Sequence, residues 1–235
     1  MSKKIGRGKI HTAFPGTILG VFFVVGGVWA VLAASGYKFN LASGSITQTA
    51  VIVLSGSESN VTVSLDGTVI ANRITTIRGV SVGSHDVSIT SLNHQPWREN
   101  FRLKAGEAAL GEHVELFLSA PAKLDVQVAT NSLDNVDLVD STLRVEGTEL
   151  FQVTKSGNEL VTRFSQPILS AVRSNDQEHI FFQIGKMVYV TELQGENTAK
   201  LIELSDSTPT PIVARQNDSQ LVLKNSGALQ TWQIR

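Results

Sequence analysis

Histidines and carboxylates are the residues best suited to chemistry in this chain, and their spacing does not favour catalysis. The five histidines, His11, His85, His94, His113 and His179, lie far apart in the sequence. Only His113 has an acid two residues on, Glu115. In a strand that interval puts both side chains on one face, where they could share a ligand; a half-exposed strand ending a domain is the simpler account. Ser35 and Lys38 have the spacing of a serine/lysine dyad, without any accompanying motif. Asp134, Asn135, Asp137 and Asp140 offer oxygens to calcium, yet the glycine and terminal glutamate of a calcium loop are missing, which makes the run a solvated linker. No H-E-x-x-H, G-x-S-x-G or phosphate-loop motif occurs. With no cysteine, disulfides, thiolate–zinc sites and thiol nucleophiles are excluded. The expectation is a protein that is not an enzyme, with no catalytic residue, cofactor or metal. Trp97 and Arg98 are the candidates for a ligand or partner surface, carbohydrate stacking on Trp97 included, against core packing for the tryptophan.

The elements that position these residues begin with an uneven charge. The 235 residues carry a net charge of −1, which excludes the basic patch of a nucleic-acid binder. Lys3, Lys4, Arg7 and Lys9 give residues 1–12 a charge of +4, so the remainder carries about −5. Behind them Ala13–Ala34 holds no charged residue. As a helix this stretch would measure ~33 Å, against a hydrocarbon core of ~30 Å. The expectation is a transmembrane helix over 13–35, with the basic arm cytoplasmic and the rest outside. The alternative is a cleaved secretory signal ending near Ala33-Ala34-Ser35-Gly36.

Beyond a polar spacer at 36–50, short β-branched runs alternate with Gly, Asn, Asp and Ser, the pattern of strands and turns. Val61-Thr-Val63-Ser-Leu65 alternates, Asp66-Gly67 suits a tight hairpin turn, and Thr68-Val-Ile70 returns. His85-Asp-Val87-Ser-Ile89 and His113–Leu118 alternate likewise. These runs predict an antiparallel β-domain over 51–120, with 121–141 as a linker.

Residues 59–103 resemble the PEGA domain, a small surface-associated β-sandwich of bacteria and archaea. The resemblance runs through Val61–Gly67, Thr75–Val80 with Gly79, Gly83–Ile89, and His94–Trp97 on to Phe101-Arg-Leu103. Glu58-Ser59-Asn60-Val61 stands where the eponymous Pro-Glu-Gly-Ala would be, and Thr76 replaces a proline. Asp66, Gly67, Gly79 and Gly83 are the turn determinants of this match. The resemblance implies a membrane-anchored envelope protein with a propeller-like region following.

Past residue 120, Arg173, Asp176, Gly185 and Val190 recur as Arg215, Asp218, Gly227 and Trp232, each pair 42 apart. That period suits four-stranded propeller blades, and 142–235 holds too few for a closed propeller. The chain therefore reads as mainly β: an N-terminal transmembrane helix, a PEGA-like antiparallel β-sandwich, then an incomplete run of propeller-blade-like repeats. The function this implies is binding of envelope proteins or cell-wall polysaccharide from a membrane anchor. The alternatives are a self-associating structural protein, through open blade edges and Gly16-x-x-x-Gly20, and an envelope-polymer hydrolase.

Overall fold

The computed structural model describes residues 14–40, 44–126, 133 and 136–235. The basic arm, His11, Asp134 and Asn135 lie outside the described residues. Among the described residues the chain is mainly β, with twenty strands in open sheets.

Helix α1 (Phe14–Ala34) is built from Val, Leu, Ala and Phe and carries no acid in its first turn and no base in its last. Among the described residues no helix is long and apolar enough to cross a membrane. This overturns the expected transmembrane helix at 13–35, and with it the single-pass anchor and the membrane location.

The strands that follow are β1 (Tyr37–Asn40), β2 (Ser45–Gln48), β3 (Ala50–Leu54), β4 (Thr62–Leu65), β5 (Thr68–Ala71), β6 (Thr76–Val80), β7 (Gly83–Thr90), β8 (Trp97–Leu103) and β9 (Ala108–Gly111). They make a β1-β2 ribbon in the stretch read as spacer, a β6-β3-β9 sheet and a β5-β4-β7-β8 sheet. The β4–β5 hairpin turns on Asp66 and Gly67, both with positive φ (50° and 77°), as a tight two-residue turn requires. Gly79 lies in β6 and Gly83 opens β7. Lys38, the base of the serine/lysine spacing, donates from Nζ to the Gly79 carbonyl at 2.7 Å.

Then come β10 (Ala122–Leu124), β11 (Leu143–Glu146), β12 (Glu149–Thr154), β13 (Gly157–Arg163), β14 (Ile168–Arg173), β15 (His179–Ile184), β16 (Met187–Glu192), β17 (Ala199–Glu203), β18 (Ile212–Arg215), β19 (Gln220–Asn225) and β20 (Ala228–Gln233). They form three sheets, ordered β11-β12-β13, β14-β15-β16-β17 and β10-β20-β19-β18. The sheets stay open and no closed propeller forms among the described residues. The 42-residue spacing falls on equivalent places: Arg173 and Arg215 end β14 and β18, while Gly185 and Gly227 lie in the β15–β16 and β19–β20 turns.

Every residue of β15 is buried, because its two faces feed two cores. Phe181 joins Phe117, Val188, Val190, Leu221, Leu223 and Ile234. Ile180 and Phe182, one step away on the opposite face, join Leu143, Leu150, Ile168 and Ile184.

By compactness the chain divides into two units. One comprises residues up to Ile52 with Ile77–Gly83 and Arg102–Ala109; the other comprises Val53–Thr76, Ser84–Phe101 and Leu110–Arg235. Within the second unit Gly195, in the turn before β17, has φ +81°, and an added Cβ would lie 2.3 Å from the Val161 carbonyl oxygen. Gly195→Ala is therefore expected to cost about 2–3 kcal/mol, combining left-handed strain with overpacking; a urea midpoint unchanged from the parent would refute it.

Candidate functional site

The site lies within the second unit and starts from the register of one hairpin. In the β15–β16 pairing His179 stands directly opposite Glu192, so both reach the same end of the sheet. The Trp97 indole Nε1 donates to Glu192 Oε1 at 2.7 Å, and Asn197 Nδ2 donates to the same oxygen at 3.0 Å. Trp97 is buried at 3% exposure. Side chains two apart on a strand share a face, so β8 carries Glu99 on the same side as buried Trp97 and Phe101. A carboxylate on an apolar face loses hydration, and burial is the main reason that Glu99 is pushed up to about 7, with Glu196 and Glu192 adding repulsion. Burial likewise raises Glu192, against the hydrogen bonds from Trp97 and Asn197.

These groups line a pocket of about 360 Å³, within the range of ligand cavities. Glu99, Glu112, Glu178, Glu192 and Glu196 contribute five carboxylates to its lining, with Trp97, Leu110, Gln194 and the two histidines His113 and His179, and no lysine or arginine.

Behind this pocket His179, 2% exposed, faces a charged cluster. Its Nδ1 is 3.4 Å from Glu115 Oε2 and 4.0 Å from Asp176 Oδ1. Arg235 donates from Nη1 to Glu115 Oε1 at 2.8 Å, contacts Glu115 Oε2 through Nη2, and lies 3.6 Å from Asp176 Oδ2. Burial, then the Arg235 charge, hold His179 down to about 4, so its imidazole is neutral at pH 7. Burial pushes Glu115 up to about 7 against the pull of Arg235. Burial also opposes ionisation of Asp176, but hydrogen bonds from Ser174 Oγ and the Glu178 amide outweigh it and hold Asp176 low. Glu115, Asp176 and His179 bring ligand atoms within 4.8 Å of one another. The guanidinium already sits against both carboxylates, so the trio is a neutralised network rather than a vacant cation site.

The sequence-level candidates are distributed as follows. His113 and Glu115 part company: His113 has φ 54°, which breaks the extended run, and its Nε2 lies 3.6 Å from Glu178 while Glu115 turns to Arg235. The 113–118 segment is accordingly not the strand expected there. Its alternation serves packing instead, with Val114, Leu116 and Phe117 buried and Leu118 bonded through its amide to Ile234 O at 2.9 Å. Trp97 lines the pocket, and exposed Arg98 donates its amide to Asn197 Oδ1 at 2.9 Å. Asp66 accepts from the Asp86 amide at 3.0 Å and lies 2.7 Å from His85 Nδ1, a turn lock rather than a site. Asp140 caps its own turn by accepting from Thr142. Glu99, Glu192 and Glu196 escaped sequence reasoning; the one available signal was the Trp97-x-Glu99-x-Phe101 alternation.

Glu99→Gln tests the electrostatics. A carboxyl raised in the folded state holds its proton more tightly there, so its contribution is complete below pH 4.5 and lost as pH rises through about 7. Relative to the parent, the variant is expected to gain about 1 kcal/mol at pH 8, after discounting for solvent screening, and nothing at pH 4.5. Denaturation midpoints at the two pH values check it; an equal gain at both refutes it.

Fold and site together define a mainly β chain with an acidic, tryptophan-walled pocket. No protein-family model matches the chain, and no curated protein matches it. A solved structure of an auxiliary nutrient binding protein from Bacteroides thetaiotaomicron VPI-5482 is similar at 8% identity over 74% of this chain, with a TM-score of 0.19. The chain spans 63% of that structure's length.

Proposed function

We propose that this chain is a non-catalytic binding protein whose partner, a protein or polymer segment, inserts a group into the pocket beside Trp97. The observation that carries this reading is the pocket itself, with about 360 Å³ walled by a buried tryptophan held in place through Glu192. The resemblance of residues 59–103 to the PEGA domain supports a surface-binding module in the same region.

The histidine of the charged cluster, His179, does not read as a general base. His179 has a pKa lowered to about 4, too low for efficient proton abstraction at neutral pH. A thermal-shift screen of small polar compounds tests the reading, since any ligand of the native state raises the midpoint with its concentration. A hit is expected whose shift disappears in Leu110→Trp, which fills the pocket from the half-exposed Leu110 (55%). Shifts that survive Leu110→Trp, or turnover of a hit compound, would overturn it.

A further inference from the structure

We infer that the chain forms a twofold dimer through the outward face of the β11-β12-β13 sheet, with Phe151, Val153 and Leu160 set against the same residues of a second copy. This goes beyond the pocket reading and does not depend on it. Within the second unit three sheets are stacked. The β14-β15-β16-β17 sheet packs one face on Leu143, Leu150 and Val161 of the β11-β12-β13 sheet. It packs the other on Ile212, Leu221 and Leu223 of the β10-β20-β19-β18 sheet. Sheet on sheet is thus how this unit buries apolar faces.

The two ends of the stack differ. On β19, Val222 points away from the core that holds Leu221 and Leu223, yet it is buried, as is Thr231, its register partner on β20. That end is covered. At the other end cross-strand partners share a face, so Phe151 stands with Arg144 on one side and Leu160 on the other, turned away from Leu150. Val153 follows two residues on and shares that face. Val153 and Leu160 are 42% and 52% exposed, and Phe151 is half-buried. A stacked array needs a polar outer face on its terminal unit, and this one is apolar at its centre. A head-to-tail copy would find its receiving face already covered, whereas the uncovered face set on itself closes at two copies.

The charges on this face also select a second copy. Arg144 pairs with Glu146, and Arg163 with Glu149. These four border the apolar centre as a polar rim borders an interface. Two arginines against two glutamates sum to zero, so the face does not repel its own image, and a partner strongly charged in either sense gains nothing from it. Three strands and the six residues of β12 give a footprint of about 14 by 20 Å. That is roughly 300 Å², well under the ~800 Å² per partner of a stable complex. The dimer is therefore weak, with a Kd expected at about 100 µM.

Sedimentation velocity of the full chain between about 5 and about 500 µM, a range that brackets the expected Kd, tests this. The parent is expected to pass from monomer to dimer across that range. In Val153→Lys/Leu160→Lys the association should weaken at least about tenfold, because charges are placed in the contact. Both side chains are exposed, so a retained melting transition shows that the variant folds. Charge exchange gives a readout that a folding defect cannot mimic. Arg163→Glu leaves the face net negative and Glu149→Arg leaves it net positive, so each alone should associate at least about threefold more weakly than the parent. Their equimolar mixture should recover the parental association or exceed it. A parent still monomeric at about 500 µM overturns the inference. Association that survives Val153→Lys/Leu160→Lys also overturns it, by moving the contact to the open edge of β13 or to α1. Growth past two copies, or a mixture no tighter than its components, does the same.

Discussion

Phe117→Ala is expected to destabilise the second unit by about 3–5 kcal/mol, the range for deleting a buried phenylalanine. The ring is 6% exposed and sits edge-on to Phe181 at 6.2 Å and to His179 at 5.3 Å. The Arg235 guanidinium lies over its face at 5.1 Å. Truncation thus empties one core and uncovers the charged cluster beside it. With about 2–4 °C of midpoint per kcal/mol for a unit of this size, the loss should approach 10 °C. Phe117→Leu, which keeps most of the volume, should recover over half of it. Urea melts measure both, and a loss below about 1 kcal/mol for the alanine variant would refute the placement of residues 113–118 in the core.

Arg235→Met carries the second large effect, and its size depends on pH. The side chains of Arg235 and Glu115 are 15% and 16% exposed, so removing the cation strands a buried carboxylate. Glu115 already titrates near 7 with the guanidinium present; without it, the folded-state value moves higher. A raised carboxyl loses stabilising protonation as pH rises through its folded pKa. At pH 5 Glu115 is protonated in both proteins, and the variant should lose about 1–2 kcal/mol of hydrogen bonding and ring contact. At pH 8 the deficit should widen to about 3–4 kcal/mol. His179 supplies an internal check, because Arg235 is the second cause, after burial, of its low value of about 4. Its imidazole resonances should titrate at higher pH in the variant. A deficit that shrinks toward pH 8 would overturn this account.

How much of this was legible in the sequence differs by element. The Asp66-Gly67 hairpin was legible because two adjacent residues fix its backbone. The strand-rich character after residue 50 was legible from alternation, and the 42-residue spacing marks equivalent turns. The apolar run before Ser35 suggested a membrane span that the described helix does not provide. Alternation misled at 113–118, where one left-handed residue, His113, redirects the chain so that Glu115 leaves its neighbour. The pocket was illegible for a different reason. Glu99, Glu178 and Glu192 come from segments up to about 90 residues apart, joined by the pairing of His179 with Glu192 and the bond from Trp97 to Glu192. Neither link has a local signature.

The three residues of β10 have a consequence for how the last sheet assembles. Ala122–Leu124 pair with Thr231–Gln233 of β20, closing a loop of roughly 100 residues for three paired positions. Such closure is entropically costly and slow, whereas the β18–β19–β20 meander closes through short turns. The meander should therefore form first and offer the outer edge of β20 as a template. Until β10 arrives that edge is open to any other extended chain, so the interval before this late docking is when the protein is most exposed to mispairing with a second copy.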